Sequence, residues 1–493
     1  MRRLPIRRRS VMLAAVVLLP AIGAGAALAT RGGELAELPT FAAPAAPSPP
    51  YVPARDLLSA TWFCAGVPMV DRGVGDRGLG GVVVVANPGD TPLDALVTVF
   101  TTEEGVLPIE QEVQVEARST SEVNLATVQP DGDYVAAMVE IAGGGGFVEQ
   151  RADHADGSAV SPCSNSTSDE WFLADNYTLN DSNEDLIIVN PYPDIAIVDI
   201  TFASRDARRS PQELQGMPVQ GRSIRVVSEE FMPKDEAILA ADIRASRGRI
   251  VVARAQRYVG ERRGFSLTLA APAASPEWWF ADGEKSDSVA FERYSIYNPG
   301  DRDVTVDVAV LGITDAPNDF VPIRSDVVPA GQVVSFTTKE FENMPEGRHY
   351  LTFSTQSEAG IVVERGITRT TGDTGVVTAV SLGAPQVFLG YMRWSMAIGT
   401  SEPVSQMLIV ANLDFVDGTV TVKSIGPGGE QPIPGLEDIE LPASGVIAID
   451  IPDDVAALGL PLIVESTNRI IVERSLPRAA DRLGRSGSLA LPG

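Results

Sequence analysis

Reactive side chains are scarce in this chain of 493 residues, which contains only two His and two Cys. His154 and His349 lie far apart in sequence, so a His-based catalytic triad or a multi-histidine zinc site is hard to build. The G-x-S-x-G, H-E-x-x-H, P-loop and dinucleotide-binding patterns are also missing from the sequence. We therefore expect a protein that is not an enzyme and that has no catalytic, cofactor-binding or resident metal site.

Helical periodicity is weak from about residue 58 onwards, and alternation of apolar and polar residues takes its place. A period of two is typical of a strand with one buried and one wet face. Branched Val and Ile dominate the apolar positions, and they suit a pleated surface. The clearest alternating positions are Ala95, Val97 and Val99, Val198, Ile200 and Phe202, Val306, Val308 and Val310, and Val420, Val422 and Ser424.

Three markers recur together along the chain, at a period of roughly 105 to 115 residues, which indicates internal repeats. A Trp opens each unit, an Asn follows an apolar run, and an Arg ends a V-V-E-R group or a near variant of it. The opening residues are Trp62, Trp171, Trp278 and Trp394. The turn residues are Asn87, Asn190, Asn298 and Asn412. The closing residues are Arg151, Arg254, Arg365 and Arg474.

Each unit contains about eight strand signals separated by turn signals, which predicts an antiparallel β-sandwich. The fold class is therefore all-β, a tandem array of four immunoglobulin-like or fibronectin-like sandwiches set in a row. Propeller blades are the structural alternative, but a blade has only about 40 to 50 residues. Pro after the marker Asn ends a strand, and the Asn-Pro turn predicts a hairpin into the alternating strand. The expected repeats are residues 58–166, 167–272, 273–384 and 385–493.

The N-terminus has the composition of an export signal. Five Arg residues precede an apolar segment, residues 11–29, which ends in Ala27-Leu28-Ala29, a small-x-small pattern for signal peptidase. The segment is also long enough to span a bilayer, so residues 1–29 are either a cleaved signal peptide or a membrane anchor. Residues 30–57 are rich in Pro and Ala and predict an extended stalk. The remainder is expected outside the cytoplasm, secreted or anchored to the cytoplasmic membrane.

Outside the cytoplasm, the pair Cys64 and Cys163 is expected to form a disulfide within the first repeat. The net charge of −26 disfavours nucleic acid as a partner and keeps a long exposed protein soluble. Asp-rich loops such as residues 175–185 raise the alternative of a Ca²⁺ site between domains, although no loop has EF-hand spacing.

Two sets of recurrent residues admit both a structural and a functional interpretation. Glu149, Glu364 and Glu473 could serve as catalytic carboxylates, but recurrence in three repeats favours pairing of each Glu with the Arg after it, across strands or at a domain edge. The opening Trp residues could form a carbohydrate-binding platform, although a Trp in every unit is more often a core or interdomain plug.

The repeat openings resemble an uncharacterised family of secreted actinobacterial proteins, a domain of unknown function. Trp171-Phe172-Leu173-Ala174-Asp175 and Trp278-Trp279-Phe280-Ala281-Asp282-Gly283 look like its W-[YF]-x-A-E-G opening, and the N-P turn and the closing V-V-E-R also occur there. The first and fourth repeats depart from the opening pattern. The resemblance implies a surface protein of β-sandwich repeats and transfers no activity.

These observations favour a non-enzymatic envelope protein that acts as a spacer, scaffold or adhesion array for a cell-wall polymer or a protein partner. The alternatives are an array of carbohydrate-binding modules with exposed Trp and, third, a glycan-acting enzyme.

Overall fold

The structure is a computed structural model that describes residues 48–493 except 56, 72–75, 78, 314–322, 372–374, 398–405, 457 and 480–481. The export segment, residues 1–29, and most of the predicted stalk, residues 30–57, lie outside the described residues. The described chain is almost entirely β, in agreement with the alternation in its sequence.

Among the described residues, repeats 1 and 2 contain nineteen strands. Those of repeat 1 are β1 (Ser59–Pro68), β2 (Val70–Asp71), β3 (Asp76–Arg77), β4 (Gly80–Asn87), β5 (Leu93–Thr101), β6 (Ile109–Val115), β7 (Ser119–Asn124), β8 (Tyr134–Ala142), β9 (Phe147–Asp153) and β10 (Ala159–Pro162), with a short helix α1 (Leu125–Val128). Those of repeat 2 are β11 (Glu170–Asn176), β12 (Asn183–Asn190), β13 (Ala196–Ala203), β14 (Arg208–Arg209), β15 (Met217–Val219), β16 (Ser223–Ser228), β17 (Leu239–Arg247), β18 (Val251–Tyr258) and β19 (Gly264–Leu269), with 3₁₀ turns at Gln212–Leu214 and Glu229–Phe231.

The described parts of repeats 3 and 4 contain nineteen further strands. Repeat 3 has β20 (Glu277–Lys285), β21 (Val289–Tyr297), β22 (Val304–Leu311), β23 (Ile323–Val328), β24 (Val333–Thr337), β25 (Gly347–Thr355), β26 (Val362–Thr371) and β27 (Gly375–Leu382), with a 3₁₀ turn at Thr338–Glu340. From the end of repeat 3 onwards come β28 (Ala384–Pro385), β29 (Arg393–Met396), β30 (Gln406–Asn412), β31 (Gly418–Gly426), β32 (Gly429–Pro432), β33 (Ile439–Leu441), β34 (Val446–Ile451), β35 (Leu462–Ser466), β36 (Ile470–Ala479), β37 (Arg482–Leu489) and β38 (Leu491–Pro492), with a 3₁₀ turn at Gln386–Phe388 and helix α2 (Asp453–Ala456).

Every repeat is a sandwich of two antiparallel sheets with one shared topology. In repeat 1 the outer sheet has the order β1-β8-β5-β6 and the inner sheet the order β10-β9-β4-β7. The pairs β4–β7 and β5–β8 correspond to the central pairs of an immunoglobulin sandwich. Compared with an immunoglobulin sandwich, β1 and β9 have exchanged sheets, because β1 lies beside β8 and β9 lies beside β4. The predicted fold class is confirmed at the level of β-sandwich repeats.

The predicted Asn-Pro hairpin is wrong. Strand β4 pairs with β7 and β9, whereas β5 pairs with β6 and β8, so the turn after Asn87 carries the chain from the inner to the outer sheet. The equivalent turns in the other repeats also cross between sheets. Strands on both sides of the turn bury apolar faces against one core, and that requires them to face each other and not to lie side by side.

The four repeats close into a ring, and the expected row of sandwiches is wrong. The last strand of the inner sheet of each repeat, namely β10, β19, β27 and β37, lies beside a central axis. Strand β19 packs on β27, β27 on β37, β37 on β10, and β10 on β19. Val160 of repeat 1 donates its backbone N–H to Ser486 Oγ of repeat 4 over 3.2 Å, which joins the first repeat to the last. In addition, β1 packs on β18, β11 on β26 and β20 on β36. The strand that begins one repeat therefore contacts the strand of the next repeat that contains the V-V-E-R group or its variant.

Candidate functional site at the repeat junctions

The four opening Trp side chains have no exposed surface, so they cannot form a carbohydrate-binding platform. The indole N–H groups of Trp171, Trp278 and Trp394 donate to the carbonyl oxygens of Ile250, Ile361 and Ile470 over 2.9, 2.7 and 2.9 Å. Each of these Trp residues therefore fastens the opening strand to the residue at the start of the V-V-E-R strand.

The marker Asn residues brace the turn that crosses between the sheets. Asn190 Nδ2 donates to the carbonyl oxygen of Asp194 over 2.7 Å and to that of Val219, in the other sheet, over 3.1 Å. Asn87 and Asn298 make the same pair of contacts, and Asn412 makes them at 3.0 and 3.5 Å. The amide is buried and satisfied in every repeat, which explains its recurrence without a ligand.

The junction between repeats 2 and 3 contains a buried carboxylate from the later repeat. Strand β11 has an irregular register between Leu173 and Asn176, and this directs the N–H groups of Ala174 and Asp175 toward the neighbouring repeat. Both N–H groups donate to Glu364 Oε2 over 2.7 Å. The Arg254 guanidinium contacts the same carboxylate, at 3.3 Å from Oε1 and 3.4 Å from Oε2.

The same arrangement recurs at two further junctions. Between repeats 3 and 4, Glu473 accepts from the Ala281 N–H over 2.6 Å and from Arg365 over 2.7 Å. Between repeats 4 and 1, Glu149 accepts from the Ala397 N–H over 2.9 Å and from Arg474 Nη2 over 2.9 Å. Thus each Glu pairs with the Arg of the preceding repeat and not with the Arg that follows it in sequence. The third pair closes the ring.

The junction between repeats 1 and 2 has neither member of the pair. The β-ladder places Gln150 opposite Val83 and Arg254 opposite Leu186, each four residues before its marker Asn, so Gln150 stands where the other repeats have Arg. The assignment of Arg151 as the closing residue of repeat 1 is therefore wrong by one position. Arg151 instead contacts Asp153 at 3.2 Å.

Ala253 replaces the junction Glu in repeat 2, and Gln150 takes over part of its role. Its Oε1 atom accepts a hydrogen bond from the Gly66 N–H over 3.2 Å, inside repeat 1. Contacts elsewhere hold this junction: Tyr134 donates to Asp185 over 2.6 Å, and Arg257 pairs with Asp156 at 3.2 Å. The predicted disulfide is present beside it, between Cys64 in β1 and Cys163 after β10.

Burial and charge oppose each other at the charged junctions. Burial raises the pKa of Glu364 and that of Glu473, and the neighbouring guanidinium groups offset this only in part. Burial is the largest effect on Arg254 and would lower its pKa, but Glu364, Tyr258, Glu184 and Asp175 together outweigh it and raise the pKa above its usual value. Asp282 lies beside the junction between repeats 3 and 4. Burial would raise its pKa, but Arg369, Arg365 and Arg348 outweigh burial and lower the pKa to about 2.

The junction residues offer little to a substrate, because Glu149, Glu364 and Glu473 are at most 1% exposed. His349 contacts the buried Glu292 at 3.0 Å, and His154 stacks on Phe265 with ring centroids 4.5 Å apart. Among residues 48–493, as far as they are described, no group of three or more His, Cys, Asp or Glu could hold a metal ion. Asp175, in the loop considered for Ca²⁺, is paired with Arg262 at 2.8 Å.

No helix in the described part of the chain is long and apolar enough to cross a membrane. The buried disulfide is compatible with an extracellular location, because such bonds persist in oxidising compartments.

Comparison with known proteins adds one family and no activity. Residues 145–390 match a family of unknown function, DUF5719, which agrees with the expected resemblance to an uncharacterised family. No curated protein matches the chain.

Two solved structures are similar to the chain at low TM-scores. The crystal structure of Thermotoga maritima 1070 is 13% identical, covers 23% of this chain and 96% of its own, and has a TM-score of 0.20. A tetra-tandem repeat from the extending region of a large adhesion protein is 12% identical, covers 81% of this chain and 91% of its own, and has a TM-score of 0.11.

Proposed function

We propose that the protein is a non-enzymatic scaffold of the cell envelope that lies outside the cytoplasm, either secreted or anchored to the cytoplasmic membrane. Its closed ring presents a binding face to a protein partner. The observation that carries this proposal is the use of the recurrent polar residues inside the fold. The Trp, Asn, Glu and Arg markers connect strands and repeats, so the repetition builds a frame. Binding then falls to exposed side chains that differ between repeats.

The ring changes which of the expected roles is favoured. A spacer needs domains set end to end, whereas here repeats 1 and 4 are joined by Glu149 and Arg474 at 2.9 Å. The ends of the repeat array therefore lie close together, and the array gains little length from its four units. A scaffold or binding role is favoured over a spacer role.

Repeat 1 has a much more acidic composition than repeat 2. Residues 58–166 contain sixteen Asp and Glu against four Arg and no Lys, whereas residues 167–272 contain sixteen against thirteen Arg and Lys. On the outer sheet of repeat 1, Glu112 and Glu140 lie on either side of Leu96 on adjacent strands. With Asp94 they line a shallow depression of about 850 Å³. We call Asp94, Glu112 and Glu140 the acidic face.

In repeat 4, the residue equivalent to Glu140 is also acidic, but basic side chains neutralise its charge. Glu465 occupies the place of Glu140 and forms ion pairs with Arg393 and Lys423 on the neighbouring strands. Thr61 and Thr98 stand at those two places in repeat 1. Within the described residues the acidic face has no ion pair, and this supports a partner with a basic surface over an anionic wall polymer.

Co-sedimentation with purified sacculi and with membranes, each with and without Ca²⁺, tests the proposal against an unrelated acidic sandwich protein. We expect saturable binding to a protein component of the envelope, which protease treatment of the sacculi or membranes abolishes. Binding no greater than that of the control protein would contradict a binding role.

A matched pair of variants tests the acidic face. D94N/E112Q/E140Q removes three carboxylates from that face, and E437Q/D438N/E440Q removes three exposed carboxylates from repeat 4. We expect roughly tenfold weaker binding for the first variant only, since steering by surface charge depends on where the charges lie. Equal loss in both variants would show that net charge alone matters and would contradict a specific face.

A further inference from the structure

The ring axis holds a largely apolar cavity, and part of the chain before repeat 1 forms one wall of it. Strands β10, β19, β27 and β37 each contribute a side chain to its wall, namely Val160, Leu267, Val380 and Leu489. Pro49 and Pro50 complete the lining, and both are buried. The cavity that these residues border has a volume of about 40 Å³.

Residues 48–55, which we call the clasp, connect repeat 1 to repeat 4 at this axis. Val52 donates its N–H to the carbonyl oxygen of Pro492 over 2.8 Å, which ties the clasp to the last strand of repeat 4. Asn165 Nδ2 donates to the carbonyl oxygen of Tyr51 over 2.8 Å, which ties it to the end of repeat 1. The clasp therefore lies across the junction that closes the ring.

Glycines leave room for the clasp on both sides. A Cβ on Gly144 would lie 2.0 Å from the carbonyl oxygen of Ala54, and one on Gly145 would lie 2.8 Å from Arg55 Cγ. At the other side, a Cβ on Gly493 would lie 2.5 Å from Val52 Cβ. Close backbone approach of the clasp thus explains why position 144 is Gly, and Gly145 lies against the Arg55 side chain.

Proline suits the buried part of the clasp for two physical reasons. It has no N–H, so Pro49 and Pro50 bring no unsatisfied donor into an apolar cavity. Its fixed φ also lowers the entropy lost when an extended segment becomes ordered. The cavity, the glycine-lined path and the two carbonyl contacts therefore match an extended peptide that contains consecutive prolines.

We propose that the axial cavity, on the side where repeats 1 and 4 meet, is a binding site for an extended, proline-containing peptide, and that the clasp occupies this site in cis. The site belongs to the ring and does not depend on the scaffold role proposed above. Its occupant is this chain's own segment, and a separate peptide with the same sequence should compete for it.

Cleavage beside the clasp in the full chain tests the proposal. A specific protease site inserted after Asp56 lies next to Leu57 and Leu58, which are 46% and 96% exposed. After cleavage we expect the N-terminal fragment to co-elute with the ring. A synthetic peptide of residues 47–55 should displace it, and a peptide with Pro49→Gly and Pro50→Gly should need at least about tenfold higher concentration. Prompt loss of the fragment from a ring that stays folded, or equal displacement by the two peptides, would overturn the proposal.

A second measurement avoids cleavage altogether. Gly144→Ala places a methyl group against the clasp, whereas Gly390→Ala meets no atom within 4 Å. We expect the Val52 amide to exchange at least about tenfold faster in the uncleaved Gly144→Ala chain than in the Gly390→Ala chain. Equal exchange rates would show that the clasp is not held by this path and would overturn the assignment.

Discussion

The junction between repeats 2 and 3 and the junction between repeats 1 and 2 solve the same problem with opposite chemistry. In the first, Glu364 receives two backbone N–H groups and the Arg254 guanidinium. In the second, Ala253 and Gln150 occupy the corresponding places, and Gln150 accepts the Gly66 N–H within its own repeat. Both members of the ion pair are replaced together, although they belong to different repeats.

This joint replacement shows that the Glu and the Arg act as one unit. A buried ion pair adds little net stability compared with a well-packed neutral pair, but an unpaired buried charge is very unfavourable. An Arg at position 150 would face Ala253, and a Glu at position 253 would face Gln150. The neutral junction therefore avoids an uncompensated charge. We infer that the three charged pairs specify which surfaces meet when the ring closes.

Glu364→Ala is expected to have the largest effect, because it breaks a charged junction on one side only. It removes the acceptor of two buried backbone N–H groups and the carboxylate partner of Arg254, whose guanidinium keeps only the neutral Asn176 Oδ1 at 2.6 Å as an acceptor among the described residues. We expect a loss of about 3–5 kcal/mol in the free energy of unfolding, measured by urea denaturation. Ala253→Gly at the neutral junction is the control for side-chain truncation, and an equal loss there would contradict the role of the pair.

Removal of the disulfide should weaken the neutral junction and not the charged ones. The variant C64S/C163S frees a loop with a sequence separation of 99 residues. We expect a loss of about 2–5 kcal/mol, with faster amide exchange mainly in β1 and β9. Unchanged exchange in repeat 1 would show that the Cys pair does not support this part of the ring. Reducing agent added to the same variant is the control, since it has no further bond to break.

The pH dependence of stability should differ in sign between repeats 2 and 3. Burial raises the pKa of Glu184 from 4.5 to about 8. The stability supplied by its protonated form is complete below 4.5 and is lost as pH rises through about 8. Urea unfolding of Glu184→Gln should thus show a gain in stability relative to the wild type, on the order of a few kcal/mol, as the pH rises from 4.5 through about 8.

Glu292, at the equivalent position of repeat 3, serves as the comparison. Burial alone would raise its pKa, but His349, Tyr294 and Arg365 together outweigh burial and lower the pKa, so its stability contribution is lost at acid pH instead. Glu292→Gln should therefore be less stable than the wild type at neutral pH and approach it as the pH falls. The same pH trend for both variants would contradict these assignments.

The smallest effect is expected from R254Q/E364A, which copies the neutral junction into the junction between repeats 2 and 3. The amide side chain introduced by R254Q can accept from the Asp175 N–H, as Gln150 accepts from the Gly66 N–H. We expect a loss of about 1–2 kcal/mol, smaller than that of Glu364→Ala alone, in a double-mutant cycle based on urea denaturation. Additive losses from the two single variants would show that the residues do not act as a unit.

Much of each repeat could be predicted from the sequence because its signals are local. Alternation at Val306, Val308 and Val310 identifies a strand, and Pro after Asn190 identifies its limit. The hairpin prediction failed because a turn sequence does not specify whether two strands share a sheet or face each other.

Ring closure has a signal in the sequence, namely continuous apolar runs, which a row of sandwiches does not explain. Val82 to Val85 and Leu186 to Val189 are continuous apolar runs and are buried on both faces. An isolated sandwich would leave one face of each sheet wet, so such runs indicate a second apolar contact. Alignment on Glu149 in place of Arg151 would also have placed Gln150 correctly. Pairing between residues 325 positions apart, as in Arg474 and Glu149, has no local signal.

Small-angle X-ray scattering from residues 47–493 tests ring closure most directly. A closed ring predicts a radius of gyration of about 22 Å, the value for a compact chain of this length, and a distance distribution with one short maximum. A radius of gyration about twice as large, with a long tail in the distance distribution, would mean that the repeats extend in a row and would contradict the ring.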